Sequence, residues 1–418
     1  MRSNVNSGIN FRLPSRDLFP ETAVCAALLD TDPAPRVSPI PMLRLALKML
    51  FGDRAKYLML VCGLTFCALL MCQQTSVFCG LLLWTSATVR NVQVPIWVAD
   101  AKVEQVNEVV ALREIDLLRV RSVPGVQWAV PLFWSIQQAR LPDGTFQAIQ
   151  LTGLDSATLV GRPGRILDGR IEDLRLPNAV VVDQVALNKF RKRGITLRVG
   201  STFELNDKEA RVVAICETER SFLGQPYVFT TYSRALEYTP PQRKQLSFIL
   251  VQPKPEVPVP ELLDRIGRIG GLHAFASEDF AHRTMWWYFK NTGIPISFGT
   301  VVVMGIIVGV AIAGQTFYLF IHENIRFMAA LKAMGAGFWL LARMVIIQAF
   351  TVGFTGYGLG VGLAASFGNA VLRKGEPPFY MPWQILAFTG AVIVLICCLS
   401  AFVGLIKVAR AEPAMVFK

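Results

Sequence analysis

Four long stretches of the chain carry no Asp, Glu, Lys or Arg: Tyr57–Val89, Asn291–Ile321, Met344–Leu372 and Pro377–Ile406. Each runs to about thirty residues, whereas a helix crosses a bilayer core in roughly twenty. Buried helices of soluble domains rarely run so far without a charge, so the pattern predicts four transmembrane helices. Gln73 and Gln74 interrupt the first near its middle, and such an amide pair turns toward protein or water rather than lipid.

Between the first and second stretches the periodicity changes. "EIDLLRVRSVPGVQWAVP" (114–131) reads as a helix, a Pro-Gly turn and a β-run, and "PELLDRIGRIGGLHAFAS" (260–277) repeats that order around Gly-Gly. Two alternating segments turn at Asp143-Gly144 and Asn206-Asp207, the signature of β-hairpins. "LSFILVQ" (246–252) reads as a further strand. The expected architecture is an α-helical membrane protein with four transmembrane helices and an α+β extracytoplasmic domain inserted between helices 1 and 2.

The boundaries follow from the pattern. Residues 1–41 read as a disordered tail, with Met42 as an alternative start of translation. Residues 42–56 form a basic amphipathic segment at the membrane surface. The spans are 57–89, 291–321, 339–372 and 381–406. The domain covers 90–290, an insertion 322–338, an external loop 373–380 and a tail 407–418. The first charge-free stretch exceeds a bilayer, so its helix is expected to continue into the domain.

Charge fixes the orientation. The net +12 does not mark a nucleic-acid binder, because residues 90–290 hold 26 Lys+Arg against 22 Asp+Glu. The surplus flanks the apolar stretches, with Arg44, Lys48, Arg54 and Lys56 before the first and Lys407, Arg410 and Lys418 after the last. By the positive-inside rule both termini face the cytoplasm, as expected of an inner-membrane protein surrounded by lipid. The insertion is then inside and the domain outside.

Candidate chemistry is sparse. Of the eight cysteines, only Cys216 belongs to the domain, so no disulfide forms within it. No metal site is expected. His282-Arg283 lacks a nucleophile pattern, and "GRPGRILDGR" (161–170) reads as a surface loop because no Lys-Ser/Thr follows it. "MWWYF" (285–289) reads as an interfacial aromatic belt. No phosphate loop of the G-x-x-x-x-G-K-[ST] type occurs, so the chain has no ATP site of its own.

The insertion "HENIRFMAALKAMGA" (322–336) is longer than a turn requires. On a helix, Phe327, Ala330, Leu331 and Met334 share one apolar stripe. Glu323 and Arg326 are spaced to pair at i, i+3, Lys332 lies on the polar side, and Gly335 suits a helix end. Such a helix either floats on lipid headgroups or docks its stripe into a groove of a partner.

Glu323, Arg326 and "LKAMGA" (331–336) lie between the second and third spans, and "ARAEPAMVFK" ends the chain with Glu412, Pro413 and Ala414. With "NAVVVDQVALNKF…GITLRVGSTFEL" in the domain, these features resemble the permease subunits of the MacB–FtsX–LolC class of ABC transporters. The insertion is especially similar to that of heterocyst-type exporter permeases. Phe327-Met328 departs from the Glu-Ile or Glu-Gly usual there. The resemblance implies that Glu323, Arg326, Phe327, Leu331, Lys332, Met334 and Gly335 form a coupling helix against an ABC ATPase subunit, which uses the ATP and Mg while this chain binds no cofactor. It further implies a homo- or heterodimer with a second permease and a periplasmic adaptor. The exported substrate would be a lipid, lipoprotein, peptide or drug-like molecule. An FtsX-like scaffold that activates an external cell-wall hydrolase is the alternative implied by the same class.

Overall fold

The computed structural model describes residues 39–240, 246–374 and 376–409, so most of the expected tail 1–41 and the terminal pattern Glu412–Ala414 lie outside the described residues. Helix α1 (Pro39–Gly52) leads into α2 (Arg54–Thr85) through Asp53, whose side chain accepts from the Lys56 amide at 3.2 Å. That bond satisfies one of the donors left open at a helix start. The helix stops at Ser86 and resumes as the short α3 (Ala87–Asn91), so the expected continuation into the domain exists but is broken once. Val89 and Val92 are already part of the domain core.

The domain opens with β1 (Ile96–Asp100), α4 (Glu114–Arg121) and the long β2 (Val126–Arg140). It closes with β9 (Phe248–Pro253), α7 (Val259–Gly267) and β10 (Leu272–Ala276). These strands lie in the order β10-β1-β9-β2 with every neighbour antiparallel, the split βαβ arrangement of ferredoxin-like folds. The two-fold echo in the sequence is this repeat. Its turns match in detail: Gly125 and Gly271 have φ of 102° and 88°, and their carbonyls accept from Lys254 and Ala101. In β1, Ile96 and Val98 face one core with Leu262 and Ile266, while Trp97 faces the other with Phe248 and Phe280. A strand covered on both faces reads as a continuous apolar run, as "IWVAD" and "FILVQP" do.

The segment inserted between β2 and β9 holds β3 (Phe146–Leu154), β4 (Arg165–Gly169), β5 (Ala179–Asp183), α5 (Gln184–Arg191), β6 (Thr202–Leu205), β7 (Lys208–Glu217), β8 (Tyr227–Thr231) and α6 (Tyr232–Glu237). The second half of β2 pairs with β3, and the ladder continues through β8, β5 and β7 to β6, which returns to β2 at Ala139 and Arg140. The ring is thus closed around Phe133, Leu151, Val182, Phe203 and Val228. Both predicted hairpins are present, and Asn206 and Asp207 take φ of 50° and 57°, as a two-residue primed turn requires. The segment 161–170, expected as a surface loop, is instead an edge strand over Arg165–Gly169. Its side chains are mostly exposed, so no apolar alternation marked it, and pairing to β7 makes it a strand.

After the domain, α8 (Ser277–Asn291) carries "MWWYF" and splits it. Trp286 and Phe289 stack outward at 5.1 Å, whereas Tyr288 is buried against Phe222. Then come α9 (Ile294–Glu323), the nine-residue α10 (Ile325–Ala333), α11 (Phe338–Lys374) and α12 (Trp383–Ala409). Among the described residues, α2, α9, α11 and α12 are the four helices long and apolar enough to cross a membrane. The bundle has α2 at its centre. A Cβ on Gly356 or Gly360 of α11 would stand 2.8 or 2.6 Å from Leu64 or Ala68 of α2, so only glycine permits this approach.

Candidate coupling site at the α10 end and the junction at the other

The segment between α9 and α11 is a separate short helix. Asn324 ends α9 and starts α10, and its amide donates to the Phe320 carbonyl at 2.8 Å. At the far end Gly335 has φ of 94°, its amide donates to the Lys332 carbonyl, and Ala336 donates to Leu331 at 2.9 Å. This pair of bonds is a Schellman closure, which needs a left-handed residue at Gly335. The glycine anticipated from sequence does that work.

The apolar stripe is divided rather than presented as one face. Met328 and Ala329 are buried in the bundle, and Leu331 packs partly against the same core. Phe327 and Met334 point away, 43% and 76% exposed. Leu331 therefore holds the helix to its own chain, and the outward apolar groups are Phe327 and Met334. The expected Glu323–Arg326 pair is replaced by an ion pair from Glu323 to Lys56 at the base of α2. Glu323 closes α9 whereas Arg326 belongs to α10, so the break at Asn324 removes the i, i+3 relation. Lys332 is half-buried and engaged.

Helix α1 completes this end of the bundle. Ala46 and Leu50 are fully buried in the core that holds Met328, and Gln348 of α11 donates to the Ala46 carbonyl at 2.9 Å. A buried amide with one partner three hundred residues away leaves no signal in sequence.

The opposite end joins the bundle to the domain through polar groups. Asn91 and Glu219 exchange two bonds, Asn91 Nδ2 to the Glu219 carbonyl at 3.0 Å and the Glu219 amide to Asn91 Oδ1 at 2.8 Å. Arg90 donates to the Leu83 carbonyl, to Ser86 Oγ and to Glu219, which neutralises the carbonyl end of α2. Behind them Asp183 is fully buried and accepts from the amides of Ala186 and Tyr227 and from Thr218 Oγ1. Burial pushes its carboxyl up from 3.8 to about 6 against those three donors. Tyr227 reaches back to Thr88 of α3 at 3.0 Å. Sequence reasoning missed this junction, because its residues are scattered over 83–91, 183 and 218–227 without a motif.

Residues 84–269 match the family model of the MacB-like periplasmic core domain, and residues 269–413 match that of the FtsX-like permease C-terminal region. No curated protein matches the chain. Among solved structures, the periplasmic region of MacB from Actinobacillus actinomycetemcomitans is 16% identical, with 49% of this chain and 96% of that one covered at a TM-score of 0.35. The extracellular domain of the noncanonic ABC-type transporter YknZ from Gram-positive bacteria is 14% identical, with coverages of 44% and 98% and a TM-score of 0.33. On the two family models, which adjoin at residue 269 and run through domain and bundle, the chain belongs to the MacB/FtsX-type ABC permeases.

Proposed function

We propose that this chain is the permease subunit of an inner-membrane ABC transporter, crossing the membrane four times with both termini in the cytoplasm and the α+β domain outside. A separate ATPase subunit docks on α10 and hydrolyses ATP. The motion it imposes passes through the bundle to the domain, which drives export of a lipid, lipoprotein, peptide or drug-like substrate. A second permease chain, identical or not, completes the unit, and a periplasmic adaptor receives the substrate. The basic residues around α10, Arg44, Lys48, Arg54 and Arg326, support its cytoplasmic side.

The observation that carries the reading is the outward pair Phe327 and Met334 on a short helix whose other face is locked into the bundle. Filling a groove with each side chain is worth about 1.5–3 kcal/mol. A carboxylate in either place would also be desolvated without a partner. The double substitution Phe327→Glu with Met334→Glu is therefore expected to abolish co-purification of the ATPase while the permease reaches the membrane at the normal level. Equal recovery of the ATPase with wild type would refute docking at α10. A cysteine placed at Asn206 should react with a membrane-impermeant thiol reagent in intact spheroplasts. Labelling only after lysis would refute the orientation.

A further inference from the structure

Beneath the α+β domain a cleft of about 430 Å³ opens between the end of α2, the turn at 219–220 and the connection from α11 to α12. Its lining joins two chemistries. Leu83 and Trp84 of α2, Leu372 of α11 and Phe379 of the connection are apolar, whereas Arg90, Glu219 and Arg220 carry charge of both signs. Arg220, with a side chain 16% exposed, uses one N–H to meet Glu376 at 2.9 Å. A guanidinium has five N–H donors, so it retains capacity for a second acceptor. Glu219 lines the cleft, Glu376 adjoins the lining residue Pro377 and meets Arg220, and both are about half exposed, so each carboxylate has acceptor sites left beside its arginine partner. Arg90 is already committed to Leu83, Ser86 and Glu219.

An occupant must therefore bring an anion for Arg220, a cation for the two carboxylates and an apolar part for Leu83 and Trp84. A purely anionic headgroup brings no cation to the acceptor sites that the arginines leave open on the two carboxylates. Helices α2 and α11 both end at this cleft, at headgroup depth in the membrane reading above, on which this inference rests. We propose that the cleft binds a phospholipid whose zwitterionic headgroup carries a primary amine. Its phosphate takes the remaining donors of Arg220 in a charge-assisted contact. The ammonium lies between Glu219 and Glu376, and the first acyl segment runs along Leu83 and Trp84.

The test uses the full chain in detergent, stripped of lipid and titrated with phosphatidylethanolamine or phosphatidylglycerol under native mass spectrometry. Wild type is expected to retain phosphatidylethanolamine about tenfold more strongly, the scale of one charge-assisted contact. Arg220→Gln should remove most of that retention. Leu83→Trp, which fills the apolar part of the lining and leaves every charge in place, should do the same without lowering the unfolding temperature. Glu376→Gln should narrow the preference between the two lipids. Equal retention of both lipids by wild type, or unchanged phosphatidylethanolamine binding by Leu83→Trp, would overturn the proposal and mark the lipid as annular only. Alkaline carbonate extraction of native membranes keeps the two readings apart. A chain that washes off defeats the membrane reading, whereas one that stays without discriminating lipids defeats the cleft alone.

Discussion

The short helix α10 and the domain junction, at opposite ends of the helical bundle, are seated by different contacts. At the α10 end, buried Met328 and Ala329 and part of Leu331 seat the short helix, and the ion pair from Lys56 to Glu323 beside it is partly exposed. Phe327 and Met334 are left facing outward. At the domain end, α2 and α3 are tied to the 219–227 segment by reciprocal hydrogen bonds around a buried carboxyl. Apolar contacts tolerate sliding and accept a new surface, whereas paired polar groups in a dry site permit one geometry. An end of the first kind suits reception of a partner, and one of the second kind suits rigid transmission.

Four substitutions test that contrast. The largest effect is expected at Met328, which is 1% exposed in the bundle. Met328→Asp should cost more than about 3 kcal/mol by placing an unpaired charge among apolar groups. The readout is trypsin cleavage at Arg326 in inside-out vesicles, which should rise sharply. Protection equal to wild type would show that α10 is not seated by this face.

Asn91→Ala comes next. It removes both bonds to Glu219 and leaves a backbone amide without its acceptor, roughly 2–4 kcal/mol of docking between α3 and the 219–227 segment. The proposed ATPase partner should still co-purify, but its stimulation by this chain should fall. If binding and stimulation fall together, the two ends are not separable.

The third concerns pH. Folding holds the Asp183 proton to about 6, whereas the unfolded carboxyl releases it near 3.8. The folded state therefore binds more protons between these values, and this group's contribution to stability declines as pH rises through that window. The swing amounts to roughly 1–3 kcal/mol. Asp183→Asn cannot titrate and should flatten the dependence of domain unfolding between pH 4 and about 6.5. An unchanged slope would assign the dependence to other groups.

The smallest effect is expected for Lys56→Ala. Its ion pairs with Glu323 and Asp53 are partly exposed, and such pairs contribute about 0–1 kcal/mol each. Thermal unfolding should hardly move. A large shift would mean that the α10 end is also locked by charge, which would erase the contrast.

The chain's own pattern was enough to place four apolar helices, the α+β domain between the first two, the Asp143-Gly144 and Asn206-Asp207 hairpins and the helix–turn–strand echo. All of these rest on short-range periodicity and turn chemistry, which a sequence displays directly. Gly335 was legible for the same reason, since a left-handed helix end favours one residue type. Tertiary structure alone decided the rest. It closed the ring through β6, turned Arg165–Gly169 into an edge strand and paired Glu323 with Lys56 rather than Arg326. It also split Leu331 from Phe327 and Met334, because which face of a short amphipathic helix is covered depends on what the fold brings beside it. The domain junction depended on tertiary structure entirely. Asn91 and Asp183 take partners at Thr218, Glu219 and Tyr227, far from them in the chain, and only folding brings these groups together and withdraws Asn91 and Asp183 from water.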